Sequence, residues 1–477
     1  MNIPDRGVGL TYFLSLEPFI QSNIDLIDVI EIEPQNFWHH TLSDEFKMDK
    51  EVMEKIKNIP CKKIIHSVSI PIGGTVIPDY KQILLLNNII KEIESPWISE
   101  HLSFNSVRYN GIMFNTGFLL PPIQSKRSVE YISRNINILK DEFQVPFAIE
   151  TGVNYLKPNN NEVRDSEFVR MIVERSECGI LLDLHNIWAN ELNGREKVED
   201  FISNIPLDKV WEVHLAGGTR EDNYWLDAHA GTIPDQLIEI AKNVIPRLRN
   251  LHAIIFELYP SYATKIEQNI LREQLKILHS LWDIRGSDIR EYSYESGIYN
   301  YNEPDYIPEE WEYTLARLVN GFKINTLLGD RLSSDPAIPL YNKLISSFRA
   351  SMIARALPLT TRLLMLSLDI ESILSDFWKI DMPKLFTTDE ALSFIKYLED
   401  LDLKIEYLKD ILTLEKTILL CKIEDKNEII YFKYNPLKVL ESLLKMQLPS
   451  SVEPGIFEIK IGENGISNID IADTNER

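Results

Sequence analysis

Cysteine is scarce in this chain of 477 residues: three are present, Cys61, Cys178 and Cys421, far apart. That excludes a disulfide framework and a thiolate zinc site. Cys61 precedes one apolar run and Cys178 opens another, which argues against a nucleophilic thiol at a strand end. Positive charge is also short. Lysine and arginine number 50 against 72 aspartates and glutamates, a formal net charge of −22. Such a surface repels phosphate backbones and excludes nucleic acid as the main partner. No run has the length and apolarity of a membrane span, so no membrane association is expected. The opening MNIPDRGVGL lacks the apolar stretch of a secretory signal, which makes a reducing cytoplasm the expected compartment. Zinc-finger spacing, a glycine-rich phosphate loop, internal repeats and low-complexity tracts are missing too.

What is present is an ordinary globular composition, 44% hydrophobic and 10% aromatic, at a length that suggests two domains. From Gly7 to about Asp283, apolar runs of strand length alternate with amphipathic, helix-length stretches. Eight strands are predicted: GVGLTY, DVIEIEPQNFW, KKIIHSVS, WISEHLSF, PFAIETG, GILLDLHN, KVWEVHLAG and HAIIFELY. Helices are predicted between them, over 79–94, 126–143 and 165–175, and after the eighth strand over 265–282. Eight strand–helix units predict an α/β fold, a (β/α)8 TIM-type barrel over 1–284, with an open doubly wound sheet as the alternative. Residues 285–304 read as a polar, tyrosine-rich linker, and 305–477 as a mainly helical second domain. There Trp311, Leu315, Leu318, Val319 and Phe322 keep one face, as do Tyr341, Leu344, Ile345, Phe348 and Met352. A largely buried helix is predicted over 359–378 and another over 403–420. NEIIYFKYN and GIFEIKIG read as strands, and the tail from Ile466 as frayed.

Five of the nine histidines stand where apolar runs end, among acidic and amide residues. The runs supply His66, His101, Asp183, His185, Asn186 and His214; the loop LDAHAG adds Asp227 and His229, and FAIETG and IIFELYP add Glu150 and Glu257. In a barrel the carboxyl ends of the strands form one face, so residues nearly two hundred positions apart converge there. A lone histidine at such a place is more often structural than a ligand. Converging carboxylates without lysine or arginine, however, repel one another, and metal ions relieve that repulsion. Imidazole and carboxylate without thiolate suit iron, manganese or zinc, and the number of candidates suits two or three ions. Glu33 and Asn36 also follow a strand end and are candidates to line the pocket. His39 and His40 are expected to be solvent-exposed, and His252 and His279 structural. The glycines of HSVSIPIGG and HLAGG are expected to permit tight turns.

These motifs, in order from GVGL to FELYP, resemble those of the multinuclear non-heme iron-dependent oxidases, the family that includes the methanobactin-biosynthesis oxidase. HSVSIPIGG, SEHLSF, the glutamate of AIETG, LLDLHN, VHLAGG, LDAHAG and the last strand's glutamate carry the resemblance. It implies a TIM-type barrel whose metal ligands are His66, His101, Glu150, Asp183, Asn186, His214, Asp227, His229 and Glu257, with Glu150 as a bridge. Glu150, Asp183 and His214 are then the residues at the reacting centre. The implied cofactors are two or three irons in mixed Fe(II)/Fe(III) states, with O2 as co-substrate. The implied activity is oxidation of a cysteine, or an aspartate, in a ribosomally synthesised precursor peptide. Two departures stand out. The family commonly carries asparagine at the place of His185, whose position along the strand would turn it away from Asp183 toward the helical layer, in a packing or supporting role with its ligation left open. FELYP replaces a more acidic ending. DPAIPLYNKLISSFRASMI and YLKDILTLEKTILL are similar to segments of the family's partner protein, so a separate partner is expected to be unnecessary. A divalent-metal hydrolase or isomerase of the barrel superfamily of xylose isomerase and endonuclease four is the alternative activity, and a metal-holding binding protein the third.

Overall fold

The computed structural model describes residues 3–159, 161–290, 303–450 and 452–471. Eight parallel strands close into a barrel: β1 (Gly7–Thr11), β2 (Val29–Ile32), β3 (Lys62–Ser67), β4 (Ile98–His101), β5 (Phe147–Glu150), β6 (Gly179–Asp183), β7 (Val210–Ala216) and β8 (Ala253–Glu257). Each strand pairs with the next in sequence, and β8 returns to β1. Helices cover the outside, among them α1 (Tyr80–Ile93), α2 (Lys126–Phe143), α3 (Asp165–Ser176), α4 (Leu184–Leu192) and α5 (Gln268–Asp283). Strands covered in this way bury both faces, which is why β1, β5, β6 and β8 are buried at every position. The (β/α)8 expectation therefore holds. Gly9 allows the closure between β1 and β2: a Cβ there would stand 1.8 Å from the carbonyl oxygen of Val29.

Strand alternation sorts side chains between the helical layer and the lumen. The amino-terminal half of the lumen is an apolar floor of Val29, Ile64, Trp97, Ala253 and Ile255, all fully buried. Two residues further along the same strands come Glu31, His66, Ser99 and Glu257. The floor is thus the base on which the polar residues stand.

The chain forms two compact units. The first comprises 1–38, 48–113 and 119–339; the second comprises 39–47, 114–118 and 340–477. Most of the predicted linker, 291–302, lies outside the described residues. Two helices after it, α6 (Pro308–Val319) and α7 (Leu327–Ser333), are part of the first unit and fasten its loops. Trp311 Nε1 donates to the Pro121 carbonyl at 3.1 Å, and Asp335 accepts from Lys157 N at 3.0 Å. Glu312 accepts from Thr75 N at 2.8 Å and Thr75 Oγ1 at 2.7 Å, in the loop that follows β3.

Glu312 is almost wholly buried. Burial pushes its carboxyl up to about 8; the Thr75 hydrogen bonds pull the other way, and neighbouring Glu309 pushes up again. A folded-state pKa above the ordinary value means the folded chain holds the proton more tightly. The stability this group contributes is complete below about pH 4.5 and is lost as pH rises through about 8. Glu312→Gln is therefore expected to match the parent's melting temperature near pH 5 and to exceed it at pH 9. Thermal unfolding of both proteins across that range checks it; parallel curves would show that Glu312 is ionised throughout.

The second unit has its own core, built on Phe377, Phe394, Ile395, Leu398, Ile411 and Phe432. Its sheet is β9 (Glu428–Tyr434), β10 (Pro454–Gly462) and β11 (Gly465–Ile471), antiparallel in that order. Part of the tail expected to fray is thus a paired strand, because Gly465, at φ +93°, permits a two-residue turn opposite Gly462. Residues 472–477 lie outside the described residues. The long helix predicted over 359–378 is two helices, Pro358–Ser367 and Ile370–Ile380, since Asp369 caps the second through Glu371 N and Ser372 N. Along Ala337–Ala356 the predicted apolar face is also interrupted. Phe348 is exposed, while Arg349 is buried and paired with Glu390 at 2.7 Å. His40, expected in solvent, is half-buried between Asp389 and Asp44, at 3.0 Å from each.

Candidate metal centre

Strand register sets the site. His101 at the end of β4 lies beside Glu150 at the end of β5, and Asp183 at the end of β6 beside His214 in β7. Glu257 ends β8 next to Ala216. Asp227 and His229 come from the loop after β7, where His229 adopts φ +43° and its carbonyl accepts from Tyr259 N. All nine residues singled out from the sequence are brought together.

Glu150 Oε2 is 3.0 Å from His66 Nε2 and 3.3 Å from His101 Nε2, and Glu150 Oε1 accepts from Asn186 Nδ2 at 3.3 Å. His214 Nδ1 faces Glu257 Oε1 at 3.2 Å. His229 Nε2 is 3.4 Å from Glu257 Oε2 and 2.8 Å from Asp227 Oδ1. Asp183 ends its strand and caps α4, accepting from Asn186 N through Oδ1 at 2.8 Å, which leaves Oδ2 free. Four overlapping groups can each hold an ion. Three chain through Glu150 and Asp183, namely His66, His101 and Glu150; Glu150, Asp183 and His214; and Asp183, His229 and Glu257. The fourth, Glu31, Glu212 and His214, lies behind His214. Within each, one ligand atom per residue lies within 4.8 Å of the others.

Burial raises the carboxyl of Asp183 well above the ordinary range, and Glu257, Glu150 and Asp227 add to the effect. Burial acts against charge on His66 too, yet Glu150 draws it up to about 10. His214 and His229 are raised in the same way against their burial, chiefly by Glu257. Glu257 in turn is pushed up by burial but held below the usual range by those two rings. Glu150 Oε2, Asp183 Oδ2, Asn186 Oδ1, Asp227 Oδ1 and Glu257 Oε2 are buried acceptors without a hydrogen bond. Among the described residues no lysine or arginine pairs with these carboxylates. An array of buried, unsatisfied oxygen and imidazole donors of this kind fits cations of the iron, manganese or zinc type.

Other residues fall into place around the centre. His185 lies in the first turn of α4, since the strand ends at Asp183. Trp225 Nε1 donates to His185 Nε2 at 3.0 Å, so the ring's proton sits on Nδ1, 3.6 Å from Asp227 Oδ1. It supports Asp227 from behind. Glu33 is raised by burial and feels the charges of His66, Glu257 and His229, whereas Asn36 is exposed and donates to Glu33 at 2.6 Å. Tyr259 stacks on His229 with ring centres 4.7 Å apart and remains 43% exposed.

Two buried carboxylates were not anticipated: Glu31 and Glu212, both 0% exposed, beside His214 Nε2. Alternation was the available signal, because Glu212 stands two before His214 and Glu31 two before Glu33, on the same strand faces. Cys61 and Cys178 are buried, and burial raises both thiols to about 11, which fits their exclusion as nucleophiles.

A sequence model of the RiPP precursor modification enzyme family MbnB/TglH/ChrH matches residues 6–267. Curated relatives include a UPF0276 protein of Paraburkholderia phytofirmans, 29% identical over 189 residues, which cover 39% of this chain and 60% of the relative. Another, from Streptomyces avermitilis, is 27% identical over 38% of each chain. The chain thus spans less than two thirds of the length of either. Among solved structures, a xylose isomerase domain-containing protein of Salmonella typhimurium aligns with 59% of this chain and 98% of its own, at 15% identity and a TM-score of 0.41. Endonuclease IV of Thermus thermophilus aligns with 59% of this chain and 99% of its own, at 14% identity and a TM-score of 0.37.

Proposed function

The chain belongs to the family of enzymes that modify ribosomally made precursor peptides, and from that premise we propose that it is a multinuclear iron- and O2-dependent oxidase of such a peptide. One observation carries the metal part of this reading: three ion-holding groups overlap at Glu150 and Asp183 and, among the described residues, no lysine or arginine balances them. His66, His101, Glu150, Asp183, Asn186, His214, Asp227, His229 and Glu257 would hold the ions. Bound iron would supply one-electron redox chemistry and a place for dioxygen and for a soft side chain such as a cysteine thiolate.

The remaining work falls to the protein. Glu150, shared by two groups, sets the spacing between them. Asp183 is immobilised by the helix it caps, and Asp227 is tied through its backbone N to Tyr155 OH at 3.1 Å, with His185 behind it. Tyr259, stacked on His229 and partly exposed, borders the centre on its open side. The deeper side is closed by the apolar floor, so a substrate must enter from the carboxyl ends of the strands. Placing reacting groups in fixed geometry is where such a scaffold contributes most of its rate acceleration.

Metal analysis with Mössbauer spectroscopy on anaerobically purified protein tests the reading. Two or three irons per chain, with magnetically coupled signals, are expected. Stoichiometric zinc or manganese with no uptake of iron would overturn it in favour of hydrolysis or isomerisation on the same centre.

A further inference from the structure

We propose that Glu31 is a positioning residue for the metal centre: it holds the proton of His214 on Nε2 and so turns Nδ1 toward the ions. This rests on the metal-binding reading above. Three rings of the centre, His66, His101 and His214, each have one nitrogen facing a site carboxylate and the other facing a support. His66 presents Nε2 to Glu150, and its Nδ1 meets Ser99 Oγ at 2.9 Å. His101 also presents Nε2 to Glu150, with Nδ1 3.4 Å from Glu100 Oε1. His214 is reversed. Its Nδ1 faces Glu257 Oε1 at 3.2 Å, and its Nε2 lies 3.0 Å from Glu31 Oε2.

A neutral imidazole carries one proton, and the stronger acceptor decides which nitrogen keeps it. Behind His214 that acceptor is a carboxylate at hydrogen-bond distance with no solvent exposure. Low dielectric strengthens the bond. Glu31 is itself held: Thr11 Oγ1 donates to its Oε1 at 3.3 Å. Glu212 approaches the same Nε2 less closely, at 3.6 Å, and is tethered by Trp97 Nε1 at 2.9 Å. Glu31 therefore makes the bond, and Glu212 adds negative charge behind it. The competing occupant of this pocket is a further cation held by Glu31, Glu212 and His214, which also fall within 4.8 Å of one another. With an ion already on Nδ1, that would strip both protons from one imidazole, a state disfavoured at neutral pH. The hydrogen bond needs no such step.

The test loads three anaerobic proteins with Fe(II) alone, the parent, Glu31→Ala and Glu31→Gln, and reads bound iron, affinity by chelator competition and Mössbauer spectra. Glu31→Ala is expected to weaken one ion by about 10–100-fold, the usual cost of losing a ligand's hydrogen-bond partner, and to leave the others unchanged. Glu31→Gln keeps an oxygen that accepts from Nε2–H, so it is expected to retain the full iron count while changing the signal of one iron. An alanine variant with the parent's count, affinity and spectrum would overturn the proposal. So would a glutamine variant that loses iron as completely as alanine, since Glu31 would then be a ligand. If the alanine variant does not fold, Glu31→Leu, which fills the space without an acceptor, gives the same reading. Failure of the parent itself to take up iron is a separate outcome: it rejects the iron centre, and this proposal with it.

Discussion

Replacing Glu150 with alanine leaves at most one iron per chain and no detectable peptide oxidation; that is the expected result with the largest effect. Among the described residues Glu150 is the one carboxylate that ion-pairs with both His66 and His101, and it also belongs to the group with Asp183 and His214. Without it the Nε2 atoms of His66 and His101 lose the carboxylate they share, His101 keeping Glu100 at its Nδ1, and Asn186 Nδ2 keeps its bond to the Thr151 carbonyl. Loss of a supporting residue weakens metal binding by about 10–100-fold, and loss of a shared ligand should exceed that. The metal-free fold should survive, at some cost in stability. In the empty protein burial pushes Glu150 up, but His101, His66 and His214 hold it below the usual range, so its removal leaves buried imidazoles without their carboxylate while easing the repulsion on Asp183. Iron analysis, an oxidation assay and melting curves in chelator together check this. A variant that loses iron only because it is unfolded in chelator would show Glu150 to be structural instead.

The second large effect is on stability. Ions that bind the folded barrel and not the unfolded chain stabilise it by mass action, about 4 kcal/mol when free metal exceeds the dissociation constant a thousandfold. For a domain of this size about 2 °C accompanies each kcal/mol, so stripping the metal is expected to lower the barrel's transition by roughly 8 °C. The transition of the second unit should stay in place, because none of the ion-holding groups draws on residues of that unit. Calorimetry of the loaded and chelated protein separates the two. Unchanged transitions on chelation would mean that the centre does not hold ions tightly.

The barrel was legible because buried parallel strands write themselves as uninterrupted apolar runs, and the runs ending in His66, His101, Glu150, Asp183 and His214 each appear as strands ending at or near those residues. Convergence of the nine site residues followed once strand ends were taken as one face. Glu31 and Glu212 were hidden by the same runs: within VIEI and VWEV a single glutamate looks like a solvent-facing interruption, and only the closed lumen turns it inward. His185 was assigned a supporting role on strand alternation, but what fixes it is the early end of β6 and the indole of Trp225 forty residues away. In the second unit Arg349 defeated the reading of a hydrophobic face, since its partner Glu390 lies on a different helix. Distant pairings of this kind leave no periodic trace.

The fastening of α6 and α7 bears on how such chains are taken apart and recombined. The family match stops at residue 267, yet Trp311, Glu312 and Asp335 still hold loops of the first unit. A chimaera that joined this barrel to another carboxy-terminal module at the edge of the match would discard those three anchors. The loop after β3, which follows His66, would lose both of its bonds to Glu312. A seam that keeps all three lies between Asp335 and the helix Ala337–Ala356, and segments 39–47 and 114–118, which belong to the second unit, would have to be exchanged with it.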